Sequence, residues 1–236
     1  MTRRDFITTA SLATASAMLA RPTRSLIGGR ILEAEGNANL PYDSEVEYLQ
    51  SSGTQYIDLL LNSTDDVFCD FDIKYLRLTD YGYAPFGYRY GATARYGLWI
   101  NGGGLTYYAG VDSSHSADLK VPPRNYDVHH LSVRNGQYIE FDGNRTEVGI
   151  GTVRDNIGIL LFAMVTSGRG KSEFIKDLAQ VYYFKVYDKY GEPLRDMIPV
   201  RKDGAGYMYD FVTESLFGNS GTGEFILGTD VRRRRA

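Results

Sequence analysis

From Glu45 onward, apolar residues return at every second position, and the alternation is interrupted only by Gly, Asn and Asp. The segments "VEYLQ", "TQYIDLLL", "VFCDFDIKYL", "YDVHHLSV" and "DLAQVYYFKVYD" all show it. A period of two predicts β-strands with one buried face. The turns between them are equally legible. "YGLWI" and "LTYYAGV" flank a glycine-rich turn, and Arg134-Asn135-Gly136 joins two alternating runs as a hairpin. Asp142-Gly143-Asn144 predicts a further turn. "NIGILLFAMV" is apolar throughout and reads as one strand covered on both sides. No stretch keeps a helical period over three turns. The pattern predicts roughly a dozen strands in two facing antiparallel sheets, because a strand with one apolar face needs a second sheet to cover it. No repeat of propeller or solenoid length is present.

Two phrases nearly match: "SSGTQYIDL" from Ser51 and "NSGTGEFIL" from Asn219. They read as neighbouring strand starts, with Gly53 and Gly221 in tight turns and Tyr56 and Phe225 packed behind them. The expectation is that the strand after Gly53 pairs with the strand ending at Leu227.

Composition narrows the function classes. The 19 Tyr and 26 Gly suit strands and tight turns. A formal net charge of −3 does not point to nucleic acid. The single cysteine, Cys69, excludes an internal disulfide and any cysteine cluster for a metal. Its alternating surroundings predict a small buried side chain.

The start of the chain differs from the rest. Residues 1–20 combine Arg3 and Arg4, a short run rich in Ala, Ser and Thr, and small residues at plausible processing positions. The string Thr2-Arg3-Arg4-Asp5-Phe6-Ile7 resembles a twin-arginine export signal. The apolar run is too short and too polar for a stable membrane span. Residues 21–43 read as a linker, 44–229 as the folded domain and 230–236 as a basic tail. The expected destination is the periplasm, the cell surface or the medium.

"VEYLQSSGTQYIDL" resembles the opening of concanavalin A-like (laminin G-like) domains found in secreted and surface proteins. "GEPLRDMIPVRKDGAGYMYDFVTESLFGNSGTGEF" is similar to their close, and "YYFKVYDKYGEPL" to an internal strand. The resemblance spans about Ser44 to Gly228 and implies an all-β, two-sheet antiparallel jelly-roll sandwich. Its members include sugar-binding modules, adhesive modules and glycanases, so function has to come from a site.

The aromatic segment from Tyr81 to Tyr108 is the strongest candidate. Sugar rings stack on aromatic faces, and their hydroxyls need polar partners nearby. Alternation on the Arg95–Ile100 strand puts Tyr96, Leu98 and Ile100 on one face, and Arg95 and Trp99 on the other. Arg95, Trp99, Asn101 and Tyr107 are therefore the expected ligand-binding residues of a non-catalytic module for a glycan or cell-surface ligand. A structural or adhesive envelope protein is the alternative.

A glycanase is the third reading. It needs two carboxylates flanking one bond. Glu140 and Asp142 are the nearest approach, but Asn144 stands where a second Glu is needed and the strand ends in a turn. "TSGRGKS" (Thr166 to Ser172) lacks the spacing of a phosphate loop. His129 and His130 are adjacent on a strand and so face opposite ways, and His115 stands alone in a polar loop. Asp112 and Asp118 leave calcium open, although no spacing singles out a site.

Overall fold

The computed structural model describes residues 40–62, 67–76, 81–90, 94–101, 104–109, 116–119, 126–134, 137–147, 158–166, 171–174 and 179–231. The export string and most of the linker lie outside these residues, as do His115, Asp112 and Arg232 to Arg235. Among the described residues every regular element is a strand. In chain order these are β1 (Ser44–Glu45), β2 (Leu49–Ser51), β3 (Ile57–Asn62), β4 (Phe68–Tyr75), β5 (Tyr81–Tyr90), β6 (Ala94–Asn101), β7 (Gly104–Ala109), β8 (Ser116–Leu119), β9 (Val128–Arg134) and β10 (Tyr138–Phe141). They continue with β11 (Asn144–Glu147), β12 (Gly158–Leu161), β13 (Ala163–Thr166), β14 (Lys171–Phe174), β15 (Ala179–Tyr187), β16 (Pro193–Lys202), β17 (Ala205–Asp210), β18 (Ser215–Phe217) and β19 (Ile226–Leu227). No described helix is long and apolar enough to cross a membrane.

The strands form two sheets packed as a sandwich. One sheet runs β11-β10-β9-β4-β15-β16-β17-β18, with β1 against β16, and with β2 lying between β15 and β19. The other runs β14-β13-β5-β6-β7-β8, with β12 bridging β3 and β5. Pairing is antiparallel except between β13 and β5. Alternation places Phe71 of β4 and Phe184 of β15 on the inner face of the first sheet. They meet Phe86 of β5 from the second, with ring centroids 5.2 to 5.7 Å apart. Rings tilted edge to face at this spacing add attraction beyond simple burial. Cys69 is buried in the same core, as its pattern predicts.

The hairpins follow their turn signals. Strands β6 and β7 pair across the glycine-rich turn, and β9 and β10 pair across Asn135-Gly136. Asp142 and Gly143 both adopt positive φ, 48° and 81°, between β10 and β11. That pair of angles matches the right-handed twist of the flanking strands.

Two expectations need correction. The apolar run around Leu160 is not one strand. Phe162 takes φ 65° and its N–H donates to the Pro85 carbonyl at 2.6 Å, which divides the run into β12 and β13. Residues 159–164 stay buried throughout, so continuous burial does not require continuous extension.

The second correction concerns the paired phrases. Strand β19 pairs with β2, which precedes Gly53, and not with β3, which follows it. The reason is a corner: β2 belongs to the first sheet and β3 to the second. Gly53, at φ 105°, makes the turn, and Gln55 Oε1 braces it by accepting the Ser52 N–H at 2.7 Å. The second phrase nests on that corner. Ser220 N–H donates to the Tyr56 carbonyl, Thr222 N–H to that of Thr54, and Thr54 Oγ1 to that of Thr222. A Cβ at Gly221 would collide with the Thr54 carbonyl.

One side chain joins the sheets at their rim. Arg195 of β16 donates from Nε and Nη2 to the Leu59 carbonyl of β3, at 3.1 and 2.9 Å. Its Nε also lies 3.7 Å from the Asp210 carboxylate, which is fully buried. Asp210 Oδ1 accepts the Asp196 and Val212 N–H groups, and its Oδ2 accepts the Thr213 hydroxyl.

Candidate functional site

The outer face of the first sheet follows from the same alternation that builds its core. On β4, Cys69, Phe71, Ile73 and Tyr75 turn inward, and Asp70, Asp72 and Lys74 turn outward. On β9, His129 is buried while His130 is half-exposed on the outer face, so the adjacent histidines do point apart. Register sets Asp72 opposite His130, Asp70 opposite Ser132 and Lys185, and Glu140 opposite Ser132. A bulge in β15 sets both Tyr182 and Tyr183 against Asp72, and the two are half-buried in succession. Bulges of this kind re-aim side chains. Here Tyr182 donates to Gln180 and Tyr183 to Asp70, both at 2.9 Å.

The centre of the face is a hydrogen-bonded cluster. His130 Nδ1 lies 3.0 Å from Asp72 Oδ1 and 3.1 Å from the Tyr183 hydroxyl. His130 Nε2 lies 3.4 Å from Asp70 Oδ1. Its bond to Asp72 raises the His130 pKa, aided by the charge of Asp70 and opposed by partial burial. Burial raises the Asp70 pKa despite the neighbouring His130 and Tyr183. Tyr183 is held above the ordinary phenol range by burial and by the two aspartates. Lys185 pairs with Asp196 at 3.3 Å, and the Arg145 guanidinium stacks 3.4 Å from the Tyr138 ring centroid. The face thus combines phenol rings with carboxylates, an imidazole and amides (Gln180 donates to Gln50 at 2.8 Å).

The residues expected from sequence fall elsewhere. Arg95, Trp99 and Asn101 lie on β6 and Tyr107 on β7 of the second sheet. Register sets Trp99 opposite Thr106, Tyr107 opposite Leu98, and Asn101 opposite Gly104. Their side chains lie outside the described part of the structure. Asp118 is on β8, opposite Thr106. Glu140 and Asp142 serve separate partners. Glu140 is 3.9 Å from Arg145 Nε, whereas the Asp142 oxygens take His129 Nδ1 at 2.8 Å and the His130 N–H at 3.0 Å. Among the described residues no set of three or more His, Cys, Asp or Glu is arranged to hold a metal ion.

The outer-face cluster escaped the sequence reading, although part of its signal was present. "CDFDIKY" places Asp70, Asp72 and Lys74 at alternate positions, which is one face of one strand. His130 and Tyr183 lie 58 and 111 residues from Asp72 in the chain, and only sheet pairing brings them to it.

No family model matches the chain, and no curated protein does. Among solved structures, the crystal structure of HCR/D-Sa-GBL1/C is similar over 72% of this chain, at 10% sequence identity and a TM-score of 0.36. The chain covers 58% of the length of that one.

Proposed function

We propose that the protein is an exported, non-catalytic module of the concanavalin A-like jelly-roll type that binds a glycan or a similar hydroxyl-rich surface ligand. The observation that carries this reading is the outer face of the first sheet. Its bulge presents Tyr182 and Tyr183 together, beside Tyr187 and a band of carboxylate and imidazole groups. Stacking surface and hydroxyl partners are the two things a sugar ring requires. The twin-arginine-like start of the chain supports export. Arg95, Trp99, Asn101 and Tyr107 form a second candidate patch on the other sheet.

Polysaccharide pull-downs and a glycan array test the reading with two sets of variants. Tyr182→Ala with Tyr187→Ala should weaken binding by about tenfold or more, the scale of a lost stacking contact with its hydrogen bonds. Arg95→Ala, Trp99→Ala and Tyr107→Ala report on the second patch. Loss only in the second set moves the site to β6 and β7. Failure of the unmodified protein to bind any glycan, with retention on cell envelopes, favours the structural or adhesive alternative.

A further inference from the structure

Among the described residues, His130 is the outer-face side chain that touches both aspartates of β4, and it does so through different nitrogens. Nδ1 is 3.0 Å from Asp72 Oδ1, and Nε2 is 3.4 Å from Asp70 Oδ1. A protonated imidazole has two N–H groups and satisfies both carboxylates. A neutral one has a single N–H and satisfies only one. The shorter contact and the better-placed partner are on the Nδ1 side, so the remaining proton stays toward Asp72. Nε2 then becomes a bare acceptor beside Asp70, whose Oδ1 keeps the Tyr183 hydroxyl at 2.9 Å. Two acceptors now lie side by side on a partly open surface, where the side chains of His130 and Asp70 are 42% and 33% exposed.

We propose that Asp70 and His130 form a hydroxyl-accepting subsite on this face, able to take two adjacent hydroxyls of a sugar only when His130 is neutral. Protonated His130 closes the subsite by turning its Nε2–H onto Asp70. This rests on the glycan reading above and adds its control by pH.

The groups facing His130 support the assignment. Strand β4 presents Asp70 and Asp72, with Lys74 one step further along the same face. Strand β15 presents the Tyr183 hydroxyl, with Lys185 and Tyr187 beyond it, and Lys185 is held by Asp196 of β16. Strand β10 presents Glu140, which adds to the negative field at His130 and is itself near Arg145 of β11. Asp142 holds the His130 backbone N–H and directs its other oxygen to His129. Lys185 and Arg145 each already have an acidic partner. His130 is therefore the group whose charge can change most readily within this cluster near neutral pH.

The test uses the full chain and two readouts. Proton–nitrogen NMR follows the imidazole of His130 through a pH titration, without ligand. Its midpoint should lie above the ordinary imidazole value and fall in Asp72→Asn. Equal midpoints in the two proteins overturn the proposal. Binding to immobilised dextran and galactomannan is then measured between about pH 5.5 and about pH 8.5, either side of a typical imidazole midpoint. Affinity should rise about tenfold across that midpoint, the scale of one charge-assisted hydrogen bond. His130→Gln should flatten the dependence. Binding of equal strength at every pH refutes the subsite and leaves the glycan reading standing. Binding to neither polysaccharide at any pH, with no binding to any glycan of the array, refutes both.

Discussion

Replacing Arg195 with Met tests how the two sheets are held at their rim. Met keeps most of the stem volume and removes the guanidinium. Two hydrogen bonds to the Leu59 carbonyl on the opposite sheet are lost, as is the bond from Nη1 to Leu194 at 2.6 Å. The Asp210 carboxylate remains, fully buried, with its nearest cation gone. A stranded buried acceptor costs about 1–3 kcal/mol, and a buried charge stripped of its partner costs about 3–5 kcal/mol. Asp210 keeps its bonds from Asp196, Val212 and Thr213, so the low end applies to the charge. The expected total is about 4–6 kcal/mol. For a domain of this size, at about 2–4 °C per kcal/mol, Tm should fall by about 8–24 °C in a circular-dichroism melt. Adding Asp210→Asn to Arg195→Met removes the stranded charge and should recover part of the loss. A fall of less than about 3 °C in the single variant, or no recovery in the double one, would show that the rim bridge is incidental.

Three further outcomes follow from the same geometry. Gly221→Ala drives a methyl group into the Thr54 carbonyl and should cost about 1–3 kcal/mol in urea unfolding, whereas Gly204→Ala, with open space around it, should lose only what its φ of 80° imposes. Tyr75→Phe deletes a hydroxyl that is buried without a partner among the described residues and whose ionisation burial opposes; stability should rise by about 1 kcal/mol, and a fall would mean that the hydroxyl has a use. The raised pKa values of His130 and Asp70 both favour the protonated form in the folded state. The stability each contributes is complete below its unfolded value and is lost as pH rises through the folded one, so Tm should decline above the ordinary carboxylate range on account of Asp70 and again above the ordinary imidazole value on account of His130. Asp72→Asn should flatten the part of that decline that belongs to His130, and an unchanged slope would contradict the assignment.

Strand content, most turns and the outward and inward sides of β4 and β9 were legible along the chain. Each depends on neighbours within a few residues: a period of two, or a turn dipeptide such as Asp142-Gly143. The division of the apolar run at Phe162 was not legible, because a positive φ at a phenylalanine is stabilised by the Pro85 carbonyl from a different strand. The matched phrases around Gly53 and Gly221 marked a real meeting of two segments far apart in the chain. Their roles, a corner and the loop seated on it, depended on which sheet each flanking strand joined. The bulge at Tyr182 and Tyr183 breaks the alternation that would otherwise have turned one of the two rings inward.

By itself the sequence determined that this chain forms strands, where most of them turn, and which side chains of each strand can share a face. Those properties follow from local sterics and from the cost of leaving apolar groups in water. Tertiary structure alone decided that Asp72, His130 and Tyr183 meet, and that Arg195 of one sheet grips a carbonyl of the other. Register between strands far apart in the chain is set by how the whole core packs, and hydrogen bonds at 3 Å depend on that register to within one residue.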